Sequence, residues 1–262
     1  MLPGFKTTGW GGTVGVNTTV GKSTVVGLSL SAMYNDVDSD GPDQLKGSMD
    51  TFYVSAFAQV TSSSWRHTFI CTVGRAEMEM DRTVNYGTGS YTTHGNTDSL
   101  GLGLMYELGY SVSLSEDAAT CLQTVFNVAW KTNRMGDYTE SGSDAALRVK
   151  SGDYNSVTLG LGARVQAAVG ANAWNRIGVL EGRALVKSEL GDREGVANVA
   201  FQRAGSPEAQ VKSSEKGAVG VELGAGLTLP VSGVSDVFVD FSVELWKNLV
   251  EMNAGIGYKV SF

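Results

Sequence analysis

LGLGLMYELGYSVSL, the run at residues 100–114, alternates apolar residues on one side with Gly, Ser, Met105 and Glu107 on the other. A period of two is typical of a β-strand. At ~3.3 Å per residue the run is roughly 46 Å long, far beyond the five or six residues of an ordinary strand. Such a strand would extend past the core of a soluble β-sandwich, but it fits a tilted crossing of a lipid bilayer.

The same alternation returns in further runs along the chain. Each has an apolar face, often ending in an aromatic side chain, and an opposite face of Gly, Ser and charged residues; they cover residues 26–34, 157–166, 219–227, 237–246 and 250–262. A transmembrane β-barrel turns apolar faces towards lipid and encloses a polar lumen. Glycine on the inner face suits crowded, curved strands. We therefore predict an all-β fold, an antiparallel transmembrane β-barrel.

The composition excludes several other classes of protein. Asp and Glu number 27 against 20 Lys and Arg, a net charge of −7, which argues against a nucleic-acid partner because such partners require clustered cations. Two Cys and two His limit disulfide frameworks and metal sites, so no cofactor is expected. The mean hydropathy of −0.04 is the average of an apolar outer face and a polar inner face.

The connections between strands provide an independent test. Eleven strands are predicted, at residues 10–20, 24–36, 50–61, 65–80, 98–114, 120–135, 153–167, 172–189, 215–229, 235–246 and 249–262. Short connections (21–23, 62–64, 115–119, 168–171, 230–234) alternate with long polar ones (37–49, 81–97, 136–152, 190–214), and only the last, near 247–248, breaks the series. Short periplasmic turns and long extracellular loops are typical of outer-membrane barrels.

The number of predicted strands is odd, whereas bacterial single-chain barrels have an even number. The first connection is short and therefore periplasmic, so a barrel with both termini in the periplasm needs one more strand before residues 10–20. Residues 1–9 are too few and too irregular to supply it. We expect a barrel of the 12-strand type whose first strand is missing, in a chain truncated at its N-terminus.

Several local motifs resemble one family. They are Tyr138-Thr-Glu-Ser-Gly142, then Ala146-Leu-Arg-Val149, Tyr154-Asn-Ser156 and Leu159-Gly-Leu-Gly-Ala-Arg164, and finally the terminal Gly257-Tyr-Lys-Val-Ser-Phe262. Together they resemble the C-terminal translocator barrel of autotransporters, the type V secretion proteins. The resemblance extends from about residue 4 to the end, so residues 1–262 are predicted to form one β-barrel domain. The family's first strand, which often carries a Trp, has no evident counterpart.

The resemblance implies a monomeric barrel in the bacterial outer membrane that anchors an N-terminal passenger and exports it to the cell surface. Its implied partners are membrane lipid, the barrel-assembly machinery, and its own passenger and linker segment, neither of which lies in this chain. The family's C-terminal signal for the assembly machinery corresponds to Tyr258, Val260 and Phe262. The alternative is that Phe262 simply belongs to a periplasmic aromatic girdle, and the two roles are compatible.

Charged residues on the inner faces have two interpretations. They are Glu107, Arg164, Glu222, Asp240 and Glu244, together with Glu251 and Lys259 on the last strand. They could hydrate the lumen and contact a linker helix, or they could pair with one another, since lone charges in a partly buried wall are costly.

Other functions receive weaker support. Asp36-x-Asp38-x-Asp40-Gly41 resembles half a calcium loop, but the twelfth position, which needs a Glu, is Gly47. A stand-alone outer-membrane porin or adhesin-like barrel remains an alternative. An outer-membrane enzyme would need a Ser/His or carboxylate/His arrangement at the extracellular rim, where only His94 lies in a long connection, so we predict that the chain is not an enzyme.

Overall fold

A computed structural model of the chain describes residues 5–39, 44–116, 119–171, 175–203, 205–213 and 215–261, apart from the side chain of Tyr86. In these ranges the chain forms strands β1 (Phe5–Val20), β2 (Thr24–Ser39), β3 (Gln44–Ser62), β4 (Trp65–Tyr86), β5 (Gly89–Ser113), β6 (Thr120–Met135), β7 (Tyr138–Thr139), β8 (Leu147–Ser151), β9 (Asp153–Ala171), β10 (Ile177–Glu189), β11 (Val196–Phe201), β12 (Ala209–Lys212), β13 (Val219–Pro230), β14 (Ser235–Trp246) and β15 (Leu249–Val260). The described residues contain no helix with the length and apolar character needed to cross a membrane.

Eleven of these strands form one curled antiparallel sheet, in the order β1-β2-β3-β4-β5-β6-β9-β10-β13-β14-β15. Neighbouring strands pair over most of their length; Leu104, for example, lies opposite Cys71 on β4 and Trp130 on β6. The prediction of eleven antiparallel strands is thereby confirmed. Among the described residues β1 and β15 each pair on one side only, so the sheet has two open edges.

The two faces of the sheet have opposite chemical character. On the convex face Leu161 is 60% exposed and Ile256 is 79% exposed. On the same face Trp65 packs against Tyr110 at the end with the short turns, and Arg75 lies ten residues further along β4. Ten residues cover about 33 Å of strand, or about 25 Å after a tilt of ~40°, which is the height of the apolar band of an outer-membrane barrel.

Several predicted boundaries at the opposite end of the sheet are wrong. The connection expected at 81–97 is absent, because β4 and β5 continue through it and turn near Gly87, whose φ is +61°. β1 begins at Phe5, and the connection expected at 37–49 shortens to residues 40–43, outside the described residues. These extensions carry polar residues on both faces, so the apolar alternation that identifies the other strands is missing from them.

The connections expected at 136–152 and 190–214 are not irregular loops. They contain the four short strands of a second sheet, in the order β12-β11-β8-β7. This smaller sheet, called the loop sheet below, contacts the extended part of β5 through an isolated bridge between His94 and Ser141. The strand expected at 172–189 begins at Ile177, while residues 172–174 lie outside the described residues.

Candidate functional site

The concave face of the sheet carries a continuous series of charged side chains. It begins at Glu107 on β5, which accepts hydrogen bonds from Arg66 on β4 (Nη2 to Oε1, 3.2 Å) and from Arg164 on β9 (Nη1 to Oε1, 3.0 Å). Gln123 on β6 lies between the two guanidinium groups and accepts from both. The antiparallel register sets this geometry, because Gln123 and Arg164 are direct cross-strand partners.

The series continues across the next strands of the sheet. Arg164 Nε lies 3.2 Å from Glu181 on β10. Arg183, two residues further along β10, donates to Glu222 on β13 (2.9 Å) and reaches past β13 to Asp240 on β14 (2.9 Å).

Lys187 ends the series. Its Nζ lies 2.6 Å from Glu222 and 2.6 Å from Glu244, two carboxylates that lie directly opposite each other in the register. The ammonium group therefore separates two like charges that would otherwise repel each other.

We call this series the ladder. Its cations are Arg66, Arg164, Arg183 and Lys187, and its carboxylates are Glu107, Glu181, Glu222, Asp240 and Glu244. The side chains of the ladder are largely shielded from solvent, except for Asp240 at 48% exposure. Partly buried charges are stable only when paired, and each member has at least one partner of opposite sign.

A glycine makes the longest contact of the ladder possible. Gly224 lies on β13 directly opposite Arg183, and a Cβ built on it would come within 2.6 Å of the guanidinium carbon. Any side chain there would have to displace Arg183 from its path to β14. This is a specific use of the abundant inner-face glycine.

The structure brings together the five inner-face residues singled out from the sequence, Glu107, Arg164, Glu222, Asp240 and Glu244, within this one series. Sequence reasoning did not find Arg66, Glu181, Arg183 or Lys187. A signal for the last three existed, since they alternate along β10 with Leu180, Gly182 and Val186. The β14 partners of Arg183 and Lys187 lie 57 residues away in sequence, a separation that carries no local pattern.

Two of the expected inner-face charges stand apart from the ladder. Glu251 lies opposite Glu244, and Lys259 lies opposite Asp236, whose carboxylate is already bound by Arg176 at 2.8 Å. Both β15 residues are exposed. In the described part of the chain neither of them forms an ion pair, so β15 is held by backbone pairing and not by the ladder.

The residues of the expected assembly signal lie on the outer face of the last strand. Tyr258 and Val260 are exposed there, at the end with the short turns. Phe262 lies outside the described residues. Because β15 pairs only with β14 among the described residues, these side chains border an open strand edge.

At the other end of the sheet, Glu140 attaches the loop sheet to the extended hairpin of β4 and β5. Its buried carboxylate accepts from Arg82 (Nε to Oε1, 3.0 Å; Nη2 to Oε2, 2.5 Å) and from the backbone N–H of Leu147 (2.9 Å). Arg82 also donates to the carbonyl of Ala145 at 2.8 Å. Burial alone would raise the pKa of the Glu140 carboxyl, but these hydrogen bonds outweigh burial and hold the pKa below its ordinary value.

The motif Tyr138-Thr-Glu-Ser-Gly142 thus has a structural role. Ser141 exchanges two backbone hydrogen bonds with His94 on β5, and Gly142 adopts a φ of +103° that favours glycine. Beneath this contact Thr93 is fully buried. The motif joins two segments that are distant in sequence, which local pattern reading does not reveal.

The structure also places the residues considered for other chemistry. His94 Nδ1 lies 2.5 Å from Asp81 Oδ1, a pairing hidden in the sequence because the two residues meet across the β4–β5 register. Asp36 and Asp38 lie within β2 and not in a loop, while Asp40 and Gly41 lie outside the described residues. Among the described residues no group of three His, Cys, Asp or Glu is arranged to hold a metal.

The model of the family named autotransporter β-domain matches residues 2–242 of the chain. The chain belongs to this family. Its fold is similar to the translocator domain of the autotransporter NalP from Neisseria meningitidis (TM-score 0.75, 13% identity, 99% of this chain and 82% of that chain). It is also similar to the β-domain of the Bordetella autotransporter BrkA (TM-score 0.67, 16% identity, 98% of this chain and 92% of that chain).

A third similar structure is the transport unit of the autotransporter AIDA-I from Escherichia coli (TM-score 0.58, 12% identity, 98% of this chain and 84% of that chain). No curated protein matches the chain. As an autotransporter β-domain, the chain is an outer-membrane translocator barrel that serves the export of an attached passenger. The predicted fold class, family and outer-membrane location are thereby confirmed.

Proposed function

We propose that the barrel anchors its passenger at the cell surface after export and does so as a monomer, with lipid around its convex face and a linker segment inside its lumen. The observation that carries the proposal is the opposite polarity of the two faces. The convex face exposes an apolar band bounded by Trp65 and Arg75, whereas the concave face carries the ladder. A polar inner wall lets a polypeptide pass without adhering to it.

The ladder supports this function through rigidity. It cross-links the strands from β4 to β14 by ion pairs, most of them at or below 3.2 Å. Because each of its charges has a partner of opposite sign, the ladder offers no unpaired charge that would hold a passing chain. A stiff wall of this kind keeps the lumen open.

Export is tested with the protein that carries its passenger, expressed in a bacterium with an outer membrane. We expect the passenger to become accessible to protease added outside intact cells, and the folded barrel to show heat-modifiable migration on a gel. A passenger that stays protected in the periplasm while the barrel is folded in the membrane would contradict export. The same barrel giving steady ion conductance and no display would instead indicate a stand-alone porin.

We further propose that Tyr258, Val260 and Phe262 form the signal read by the barrel-assembly machinery. Alternate apolar side chains on a strand with an open edge suit recognition by strand addition to another sheet. The matched variants are Tyr258→Ser and Tyr110→Ser, since both tyrosines lie on the outer face at the same end of the barrel. A signal role predicts slow assembly for Tyr258→Ser alone, whereas equal slowing of both variants would indicate only a girdle role.

We also propose that the barrel performs no chemistry of its own. The support is that His94 makes its side-chain contact to Asp81, with no serine or cysteine bonded to its ring within the described residues. His94→Ala should leave passenger display and any release of the passenger from cells unchanged. Loss of release with normal display would indicate catalysis at this pair.

A further inference from the structure

The convex face has a groove of about 490 Å³ in the middle of its apolar band. The small side chains of Ala56, Ala58 and Cys71 line it together with the rings of Phe69 and Trp130. Elsewhere the band is covered by large exposed apolar side chains, so the small residues leave an opening there. Because this face lies against lipid, an apolar chain is the kind of group that fills the groove.

Two arginines lie at the outer edge of the band on strands that line the groove. Arg75 lies four residues beyond Cys71 on β4, and Arg134 lies four residues beyond Trp130 on β6. Both are direct cross-strand partners of Leu100 on β5, so the two lie in one row, about 10 Å apart. Four residues cover about 13 Å of strand, or about 10 Å along the membrane normal after a tilt of ~40°. The arginines therefore lie where the headgroup belongs when a lipid chain occupies the groove.

The guanidinium groups of both arginines are exposed and only weakly engaged. Arg75 lies 3.4 Å from Glu77 and 3.7 Å from Asp98, and Arg134 lies 3.7 Å from Asp153. In the described part of the chain neither guanidinium donates a hydrogen bond. Exposed ion pairs of this kind contribute little to stability. Both groups therefore remain available to a phosphate, an anion that the fork of a guanidinium binds with two hydrogen bonds.

A row of carboxylates lies immediately beyond the arginines. Glu77 is the cross-strand partner of both Asp50 and Asp98, and all three residues are exposed on the convex side. The row lies two residues, about 7 Å, further from the band than Arg75. Like charges placed side by side repel one another, so the row favours a cation close to it. From the membrane outwards the order is therefore apolar groove, positive charge, negative charge.

We infer that this surface binds one phosphatidylethanolamine molecule, an inference that rests on the proposed function because it names a lipid of the convex face. An acyl chain lies in the groove, the phosphate contacts Arg75 and Arg134, and the ammonium group reaches Glu77 and Asp98. The headgroup has the same order of charges as the surface, since its ammonium lies beyond its phosphate. Phosphatidylglycerol, which has no ammonium group, brings a phosphate next to the carboxylates with no cation between them.

Native mass spectrometry of the protein carrying its passenger, delipidated in detergent, measures the binding of each lipid. We expect phosphatidylethanolamine to bind about tenfold more tightly than phosphatidylglycerol with the same acyl chains. Arg75→Gln combined with Arg134→Gln should weaken phosphatidylethanolamine binding about tenfold. The matched control is Lys46→Gln, which removes a cation from the same face of β3 beyond the band and should leave binding unchanged. Equal binding of the two lipids, or equal effects of the arginine and Lys46 variants, would overturn the inference.

Two further variants test the groove and the ammonium contact separately. Ala56→Leu fills the groove without changing any charge and should weaken binding about tenfold, with Ala58→Leu in its place if heat-modifiable migration shows that it does not fold. Ala32→Leu, at another exposed alanine of the convex face, should have no effect. Glu77→Gln combined with Asp98→Asn should abolish the preference over phosphatidylglycerol. Unchanged binding in the groove variant would refute the groove, and an unchanged preference in the carboxylate variant would refute the ammonium contact.

Lipid A is the other source of a membrane phosphate, and competition distinguishes the two lipids. Phosphatidylethanolamine that stays bound in the presence of an equal concentration of lipid A supports the inference, whereas its displacement from the unmodified protein would assign the site to lipid A. Loss of the lipid preference with normal display of the passenger on intact cells contradicts this inference alone. Failure of the unmodified protein to display its passenger contradicts the proposed function instead, so the two failures are distinguishable.

Discussion

Replacing Glu140 by Gln should release the loop sheet from the β4–β5 hairpin and leave the barrel itself intact. The amide keeps the shape of the carboxylate but removes its charge. It also loses one hydrogen-bond acceptor, because one carboxylate oxygen is replaced by an NH₂ group, and this group is a donor that faces other donors. Glu140 accepts two bonds from Arg82 and one from the Leu147 N–H, so the variant changes all three at once.

The size of the effect follows from the burial of this pair. The Glu140 side chain is 7% exposed and the Arg82 side chain 24% exposed. Removing one partner of a buried ion pair costs about 3–5 kcal/mol, and the partial exposure of Arg82 places the cost near the lower value. About 3 kcal/mol corresponds to roughly a hundredfold shift in the equilibrium between the docked and released loop sheet.

Hydrogen exchange read by mass spectrometry measures that equilibrium locally. Peptides covering residues 138–151 and 90–96 should exchange about a hundredfold faster in Glu140→Gln, because the backbone bonds between Ser141 and His94 open with the sheet. Peptides from residues 157–166, in the barrel wall, should be unaffected. The matched control is Glu208→Gln, which removes the exposed partner of Lys150 in the same loop sheet and should change exchange by no more than about twofold.

Equal exchange in the two variants would refute the assignment of Glu140 as the attachment point. Faster exchange throughout the barrel would also refute it, because the contact would then stabilise the whole fold and not the loop sheet.

Three other predictions follow from the same contacts. Since the folded-state pKa of Glu140 is lowered, docking of the loop sheet should be fully stable above the unfolded pKa of ~4.3 and should weaken as the pH falls through the folded value. Exchange at 138–151, divided by the intrinsic exchange rate at each pH, should therefore rise on acidification, and a constant ratio would contradict this. Arg183→Met should destabilise the barrel by about 3 kcal/mol in urea unfolding from vesicles, because it leaves Asp240 without an ion-pair partner and leaves Glu222 paired with Lys187 alone. By contrast Arg134→Met, on a highly exposed pair, should cost no more than about 0.5 kcal/mol. Leu104→Arg, near the middle of the apolar band, should lower the free energy of unfolding by about 2–4 kcal/mol, whereas Leu100→Arg, opposite Arg75 at the edge of the band, should lower it by about 0–1 kcal/mol. Equal losses for the two variants would show that the membrane lies elsewhere on the barrel.

The alternation of apolar and polar residues was sufficient to predict the barrel strands because lipid and lumen demand different side chains on alternate positions. The run at 100–114 therefore became the membrane-spanning half of β5. The outer half of β5, with Thr93, His94 and Thr97, is equally extended, but water and the loop sheet tolerate polar side chains on both of its faces. With no apolar contrast, the sequence offers no periodic signal there.

The site could be predicted only in part for a related reason. The alternation within each strand predicts that Glu107 and Arg164 lie on the inner face. Their pairing, however, depends on which strands become neighbours across the insertion between β6 and β9. Gln123 is a further case: its amide oxygen joins two arginines, a role that no property of the residue alone indicates.

The ladder has a consequence for how the sheet can grow. Among the ladder residues, β4 carries one positive charge and β5 one negative charge, and β6 carries none. β9 and β10 each carry a net charge of one positive. β13 carries one negative charge and β14 carries two. Each new strand therefore finds its counter-charge on a strand no more than two places away. The ladder by itself never accumulates more than two uncompensated charges in this direction, so its ion pairs can form as strands are added one at a time.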